Sequence, residues 1–308
     1  MSAEAVRLDR ASFRYRGADA VRDLSLDVAA GEMFGLIGPD GAGKTTTIRM
    51  ICGLLRPHAG SVRVLGLDPA RDHRELTRSV GYLSQRFSLY SDLSVHENIA
   101  FFAEIHGVRD YVSRRDRLLD LTQLAPFGRR LAGQLSGGMK QKLALACTLV
   151  HEPRLIVLDE PTTGVDPVSR REFWKLLSEF LSQGITIIMS TPYLDEAERC
   201  SRVALLHEGR LLAFDAPDRL RAAMPGSLLE VIAADRRSAA RVLQTVPDVA
   251  SVQTFGERMH VQLRQADPGA VDRIESALGA AGIGASTIRQ VQPSLEDVFV
   301  TRLGDVRS

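Results

Sequence analysis

Cysteine is scarce in this chain: its 308 residues include only three, Cys52, Cys147 and Cys200. Their wide spacing fits neither a disulfide framework nor a metal-binding cluster, which predicts small buried side chains in a reducing compartment. The histidines also lack metal-ligand spacing, so we expect ordinary surface or packing roles for them.

Long apolar runs are missing as well. The longest, such as residues 143–147, are far shorter than the ~20 residues that a membrane-spanning helix needs, and residues 1–10 carry charges instead of an apolar targeting segment. Neither sign of charge dominates: the net charge is +1, which gives no general attraction to nucleic acid or anionic lipid. We therefore expect a cytosolic chain that works at a membrane only through a partner.

Residues 38–45, Gly-Pro-Asp-Gly-Ala-Gly-Lys-Thr, fit the phosphate-binding P-loop pattern G-x-x-x-x-G-K-[ST]. An apolar run at 33–37 predicts a buried strand before the loop, and helical spacing follows it. The glycines let backbone N–H groups turn inward, and the helix N-terminus favours an anion. We expect Lys44 to reach the terminal phosphates and the Thr45 hydroxyl to ligate Mg²⁺. A Gly-rich turn that binds nothing is disfavoured by this context.

Two further candidate groups follow predicted strands. Residues 154–160 form an apolar run that ends in Asp159 and Glu160, as expected for a buried parallel strand. Asp159 is placed to hold a metal's water shell, and Glu160 to polarise an attacking water. A surface acidic strand end is the alternative, but it is less consistent with an upstream P-loop. Gln85 follows a predicted strand at 80–84; its amide oxygen suits Mg²⁺, although this signal is weak alone.

A second helix start carries the sequence Leu-Ser-Gly-Gly-Met-Lys-Gln at 135–141. Ser136 suits an N-cap, and the two glycines expose N–H groups. The segment is either a simple cap or a second anion site for the same polyphosphate. Tyr15 ends an alternating strand at 6–15 and could stack on adenine, but residue type alone favours core packing.

The remaining patterns predict the organisation of the chain. Alternating strands near 6–15 and 24–28, which lead into the P-loop, predict a small antiparallel sheet beside the nucleotide site, and residues 61–66 predict a further strand. Residues 86–151 are largely helical, with capping-box spacing from Ser94 to Glu97. Arginines in that helical part are accompanied by acidic residues and no aromatic ladder, which favours a solvated face over a nucleic-acid site. Thr191 and Pro192 predict a helix start, with threonine as the cap.

The chain changes character around residues 217–226. The order strand, helix, strand, strand, helix, strand follows, which is typical of a ferredoxin-like module. The predicted strands are 228–233, 249–255, 259–263 and 287–291, and the predicted helices are 238–246 and 268–281. A capped terminal helix is expected from Ser294 onward, and this module carries no catalytic cluster.

Together these motifs resemble the ATP-binding subunits of ABC transporters, most closely the ABC-2 type export class that includes daunorubicin-resistance-like and multidrug exporters. The resemblance covers nearly the whole chain, and the motifs in this order are highly specific. The matching segments are the P-loop (38–45), the Q-loop (Gln85), the signature (135–141), the Walker B strand (155–160), the D-loop (163–167), the adenine-stacking aromatic (Tyr15) and the C-terminal ending (293–299).

The resemblance implies an α/β P-loop NTPase fold. An ABC ATPase domain at 1–220, with a RecA-like core, an antiparallel β subdomain and a helical subdomain at about 86–151, would precede a ferredoxin-like α+β domain at 221–308. Glu160 would be catalytic, and Thr45, Gln85 and Asp159 would hold Mg²⁺, Asp159 through water. The implied ATP contacts are Tyr15, Gly38, Pro39, Asp40, Gly41, Ala42, Gly43, Lys44, Thr45, Thr46, Gln85, Ser136, Gly137, Gly138 and Asp159.

The family also implies partners. Two subunits would meet head to tail, as a homodimer or a heterodimer, with the Ser136–Gly138 segment of one completing the γ-phosphate site of the other. Membrane permease subunits would dock near Gln85 and the helical segment, placing the chain on the inner face of the cell membrane. An ABC ATPase that acts on DNA or ribosomes is disfavoured by the near-neutral charge and the export-like C-terminus.

One position departs from the family pattern. Members usually carry a histidine after a strand-end Ser-Thr, where it contacts the γ-phosphate, but this chain has Pro192. Proline offers no hydrogen-bond donor. Either Pro192 only starts a helix while other groups suffice for hydrolysis, or ATP sites that use this P-loop turn over slowly. The second hypothesis predicts a subunit that works beside a partner that retains the histidine.

Overall fold

The computed structural model describes residues 4–85, 89–265, 267 and 269–307. The chain divides into two compact units, Met1–Ala216 and Pro217–Ser308. The boundary expected from the sequence, between residues 220 and 221, falls inside a helix (Pro217–Ala222) that belongs to the second unit.

The first unit holds most of the regular structure. In chain order its elements are β1 (Glu4–Tyr15), β2 (Ala18–Ala29), β3 (Met33–Ile37), α1 (Lys44–Ile51), β4 (Ala59–Val64), α2 (His73–Ser79), β5 (Val80–Leu83), α3 (Val95–Ile105), α4 (Val112–Thr122), α5 (Gly137–Leu149), β6 (Leu155–Asp159), α6 (Pro167–Ser182), β7 (Thr186–Thr191), α7 (Leu194–Ala197), β8 (Arg202–His207) and β9 (Arg210–Asp215). Short 3₁₀ turns lie at Ala125–Phe127 and Ala132–Gln134.

A six-stranded sheet in the described part of this unit has the order β5-β6-β7-β3-β8-β9. The first five strands in that order run parallel, and β9 is antiparallel to β8. Every residue of β3, β6 and β7 is buried, which explains why apolar residues dominate these strands. Because parallel strands point the same way, the residues that follow β3, β5, β6 and β7 meet at one edge.

The predicted antiparallel sheet of β1 and β2 is confirmed, and β4 joins it as a third strand in the order β2-β1-β4. Its inner face shares one buried cluster with the helix after the P-loop and with the large sheet: Leu24, Val64, Ile48 and Phe34 all belong to it. This shared core fixes α1, and therefore the loop before it, between the two sheets.

The segment between β5 and β6 is mostly helical, as predicted, although residues 86–88 of that expected subdomain lie outside the described residues. The capping box at the start of α3 is confirmed: Ser94 Oγ accepts from Glu97 N at 3.2 Å, and Glu97 Oε2 accepts from Ser94 N at 2.7 Å. Helix α5 passes close to β5, since a Cβ on Gly81 would lie 2.8 Å from Thr148 Cγ2.

The second unit begins with a helix that was not predicted, α8 (Pro217–Ala222). The predicted order of elements then follows and is confirmed: β10 (Ser227–Ala233), α9 (Arg236–Leu243), β11 (Val249–Phe255), β12 (Arg258–Leu263), α10 (Ala270–Ala280), β13 (Ala285–Val291) and α11 (Leu295–Arg307). Its antiparallel sheet has the order β11-β12-β10-β13, the ferredoxin-like arrangement. Pro268, expected in the first turn of α10, lies outside the described residues. No helix in the described parts of either unit is long and apolar enough to cross a membrane.

Candidate functional site

The loop between β3 and α1 has the backbone that an anion site requires. Gly43 precedes the helix with a left-handed φ of 98°, and a Cβ there would lie 2.5 Å from the Ala20 carbonyl oxygen. Both features demand glycine. No side chain caps α1, and its first turn carries no acidic residue. The amides at the helix start therefore remain available for an anion.

Lys44 folds into this loop. Its ammonium donates to the carbonyl oxygens of Gly38 at 2.8 Å and Pro39 at 3.1 Å. Its Nζ also lies 3.2 Å from Glu160 Oε1, and both side chains are buried. A buried positive charge thus stands between the loop and the carboxylate that follows β6.

Asp159 ends β6 beside the start of α1. Its Oδ1 accepts from Thr45 Oγ1 at 3.1 Å and from Ser190 Oγ at 2.6 Å. Its Oδ2 is buried and has no hydrogen-bond partner among the described residues. Burial raises the pKa of Asp159, while the bonds from Ser190 and Thr45 oppose that rise. An unsatisfied carboxylate oxygen next to a threonine hydroxyl fits an oxygen-preferring Mg²⁺ ion.

Glu160 is held by residues from three other segments. Its Oε2 accepts from Gln85 Nε2 at 3.0 Å and from Thr163 Oγ1 at 3.4 Å, and its backbone N–H donates to Ser190 Oγ at 3.0 Å. Its φ of 49° is unusual for a residue other than glycine, a conformation that costs on the order of 1–3 kcal/mol. These contacts offset that cost and fix the carboxylate. The sequence patterns assigned no role to Ser190, whose hydroxyl serves both Asp159 and Glu160.

The predicted helix start at Thr191 is wrong. Thr191 is the last residue of β7, opposite Ile37 of β3, and α7 begins only at Leu194 after Tyr193 as N-cap. The Thr191 hydroxyl does not cap a helix but donates to Glu196 Oε2 at 2.7 Å. Pairing in the parallel sheet therefore outweighs the Thr-Pro capping signal, and Pro192 lies in the turn between β7 and α7.

Tyr15 lies at the end of β1 and is 41% exposed, so it is not a core residue. Its ring contacts Phe13 edge-on, with 4.9 Å between centroids. Hydrogen bonding with Tyr15 raises the pKa of Arg49, a residue of α1. The alternative that residue type alone favoured, core packing, therefore does not apply.

The start of α5 borders a cleft that is not lined by P-loop residues. Ser136 is its N-cap, and its Oγ accepts from Met139 N at 3.3 Å. Beside it lies a cleft of about 420 Å³, lined among others by Gly137, Lys140, Gln85 and Gly164. No described P-loop residue lines this cleft. Two residues that hydrogen-bond to Glu160, Gln85 and Thr163, do line it, so the cleft borders the Glu160 site although no P-loop residue reaches it.

Comparison with known proteins identifies the family. The family model described as ABC transporter matches residues 21–163. The daunorubicin resistance ATP-binding protein DrrA3 of Streptomyces coeruleorubidus is 35% identical over 316 residues, which cover 100% of this chain and 98% of that protein. The chain belongs to the ABC transporter family of ATP-binding subunits. This ABC subunit is also 42% identical over 312 residues to the probable multidrug ABC transporter ATP-binding protein YbhF of Escherichia coli (strain K12). That match covers 99% of the chain and 53% of YbhF, so the chain spans about half the length of that relative.

The fold comparison agrees. A solved structure of the ATP-binding subunit of an ABC transporter matches this ABC subunit with a TM-score of 0.65 and 32% identity, over 71% of this chain and 92% of that one. The predicted fold class, the P-loop NTPase fold of ABC ATPases, is therefore confirmed.

The predicted site residues of this ABC subunit form two groups in the structure. Lys44, Thr45, Gln85, Asp159 and Glu160 are joined by direct contacts at one edge of the large sheet. The signature segment, Ser136–Gly138, is not in direct contact with them through any hydrogen bond or ion pair that the described residues make.

Proposed function

We propose that this ABC subunit binds and hydrolyses ATP to power export through a separate membrane permease. The observation that supports it best is the convergence of Lys44, Thr45, Asp159 and Glu160 at the carboxyl edge of the parallel sheet. The export assignment draws on the relatives, which are described as daunorubicin resistance and probable multidrug transporter proteins.

ATP would be held mainly through its phosphates. The loop amides and Lys44 would bind them, with Thr46 at the helix start, and Tyr15 would stack on adenine. Thr45, Gln85 and Asp159 would hold Mg²⁺, Asp159 through water. When bound, the ion would neutralise phosphate charge and fix the orientation of the phosphates. The unpartnered Oδ2 of Asp159 supports this assignment.

Glu160 would act as the general base. Lys44 lies at one of its carboxylate oxygens and Gln85 at the other, so that neighbouring groups orient the carboxylate before ATP binds. Binding of the phosphates would draw Lys44 away from Glu160, because the phosphates carry the larger negative charge. This exchange would free Glu160 Oε1 to accept a proton from the attacking water.

A second subunit would complete each site. Among the described residues, the signature segment Ser136–Gly138 makes no hydrogen bond to the chain's own P-loop, so its backbone amides would bind the γ-phosphate held by a partner. The partner would be a second copy or another ABC ATPase subunit. We further propose that permease subunits hold the dimer at the inner face of the cell membrane, and we expect no nucleic-acid partner.

Phosphate release by the purified full chain tests the hydrolysis. We expect Mg²⁺-dependent release that disappears in Lys44→Ala and rises when the membrane subunit is co-expressed. Affinity purification tests the partner: an integral membrane protein should co-purify. Recovery of nucleic acid or ribosomes in its place would contradict the export assignment, and ATP binding without any Mg²⁺-dependent release would contradict the hydrolysis.

A second candidate is an ATP-gated regulatory subunit with slow turnover. Pro192 favours it, because this position supplies no side-chain donor and the neighbouring Thr191 hydroxyl is bonded to Glu196. Intact Lys44, Asp159 and Glu160 argue against it. The steady-state rate per chain separates the two candidates: negligible turnover with normal ATP binding would favour regulation.

A further inference from the structure

The start of α5 packs directly on the start of α6. A Cβ built on Gly138 would lie 2.3 Å from Ser169 Oγ and 2.6 Å from Ser169 Cβ. Side-chain carbons do not approach other atoms so closely, so only glycine fits the position as it stands. A Cβ on Gly137 would meet no atom within 4 Å in the described structure. The close approach is therefore confined to the face of α5 that carries Gly138.

Ser169 is itself fixed within the first turn of α6. Asp166 caps that helix, and its Oδ1 accepts from the backbone N–H groups of Val168 and Ser169, both at 3.0 Å. Interaction with the Ser169 side chain, together with the bond from its backbone N–H, lowers the pKa of Asp166. Ser169 thus contacts both Gly138 of the signature segment and Asp166, which belongs to the 163–167 segment that resembles the D-loop.

A second contact holds the next turn of both helices. Lys142 Nζ lies 2.6 Å from Glu172 Oε2, and the Lys142 side chain is largely buried. Long flexible side chains set the relative position of two helices less strictly than direct contact at a backbone does. The Lys142–Glu172 pair therefore keeps α5 beside α6, while the short Ser169 side chain sets how close their starts come.

We propose that Ser169 is a positioning residue, which holds the Ser136–Gly138 segment at a fixed distance from the 163–167 loop so that both meet a partner subunit's ATP as one rigid surface. This inference rests on the proposed function. A shift of about 1 Å in such a segment can cost about 100-fold in rate. Among the contacts described, no hydrogen bond or ion pair joins Ser169 to the chain's own P-loop, so ATP binding by the single chain should not change.

A four-variant cycle tests this: wild type, Ser169→Gly, Gly138→Ala and the double variant, all as the full chain. The matched control is Ser178→Gly, which makes the same exchange in the same helix. The Ser178 hydroxyl bonds only to Trp174 O of its own helix, at 3.0 Å, among the contacts described. The measurements are kcat and KM for MgATP, binding of a fluorescent ATP analogue, and amide hydrogen exchange in the first turns of α5.

We expect Ser169→Gly and Gly138→Ala each to lower kcat by about 10-fold or more, with analogue binding within about twofold of wild type. The kcat of the double variant should be at least about fivefold higher than that of Gly138→Ala, because the Ser169 side-chain atoms that obstruct the methyl group introduced at position 138 are gone. Ser178→Gly should match wild type. A double variant no better than Gly138→Ala, or a Ser169→Gly variant equal to Ser178→Gly, would overturn the proposal.

The exchange measurement separates this inference from the proposed function. If wild type binds ATP but does not hydrolyse it, the hydrolysis assignment fails. Amide hydrogen exchange at the start of α5 then still tests the role of Ser169. Faster exchange at the start of α5 in Ser169→Gly, but not in Ser178→Gly, would support positioning. Equal exchange in the two variants would contradict it.

Discussion

Lys44 Nζ and Glu160 Oε1 lie 3.2 Å apart, and both side chains are at least nine-tenths buried. The pair joins the loop after β3 to the end of β6, two strands that are not neighbours in the sheet. It therefore ties together two motifs that the sequence separates by more than a hundred residues.

Removing the lysine charge should destabilise the chain. Lys44→Met leaves Glu160 buried beside no cation, which should lower the free energy of unfolding by about 3 kcal/mol. Adding Glu160→Gln should restore part of the loss, because the uncompensated charge is gone. Urea unfolding of the two single variants and the double variant measures this coupling. Strictly additive effects would show that the two charges do not interact in the folded chain.

Replacing the proposed base should separate binding from chemistry. Glu160→Gln keeps the shape of the side chain and its bond to Gln85, so MgATP should bind about as tightly as in wild type. Hydrolysis should fall by roughly 10²–10⁴, the usual loss of a general base. Glu179→Gln, on the exposed face of α6, is the matched control. A Glu160→Gln variant that retains wild-type phosphate release would exclude this carboxylate as the base.

His151 should make the chain sensitive to acid. Its ring stacks on His106 with 3.8 Å between centroids, and Nε2 lies 3.3 Å from Val80 O. Burial, together with the charge of His106, lowers the pKa of His151 to about 4. A lowered histidine pKa favours the neutral form, so this stability is present above pH ~6.5 and is lost as the pH falls toward the folded-state value.

Between pH 7 and pH 5, the free energy of unfolding of wild type should therefore fall by ~2 kcal/mol more than that of a His151→Phe variant. The phenylalanine keeps a stacked ring but cannot be protonated. Urea unfolding at several pH values gives the two curves. His73→Phe, at an exposed site on α2, controls for the loss of a histidine. Parallel curves for wild type and His151→Phe would show that His151 titrates normally.

The elements around the candidate site could be predicted because their signals are local. The run 33–37 is entirely buried and matches β3 residue for residue, and the strand before Glu160 is also confirmed. A continuous apolar run followed by a glycine-rich loop or by carboxylates leaves few structural alternatives. The capping box at Ser94 was equally local, since both of its hydrogen bonds span three residues.

Long-range contacts could not be predicted in this way. The bond from Ser190 to Asp159 spans 31 residues, and the Thr162 bond to Glu196 spans 34. Nothing in the neighbouring sequence indicates either partner. At Thr191 the Thr-Pro pair indicates a helix cap, but pairing of this residue with Ile37 of β3 extends the strand instead. Helix α6 lies outside the predicted elements, although its buried residues Phe173, Leu177 and Phe180 repeat at helical spacing.

Pro192 offers the sharpest test of how fast this subunit works. It lies one residue beyond Thr191, whose carbonyl accepts from Gly38 N of the P-loop at 3.4 Å. A side chain at 192 therefore starts close to the loop that would bind the phosphates, but proline has no side-chain polar atom to offer them. Pro192→His would supply a donor there, and one positioned polar group is commonly worth 10²–10⁴ in rate. We expect turnover of the purified chain to rise by at least roughly 10-fold.

Pro192→Ala is the necessary control, because it removes the rigid ring without adding a donor. It should leave turnover near the wild-type value, so that a gain confined to Pro192→His identifies the imidazole as the cause. Gains in both variants would point to loop rigidity as the restraint. An unchanged rate in a normally folded Pro192→His chain would mean that proline does not limit hydrolysis, and the slow-turnover candidate would then lose its only support.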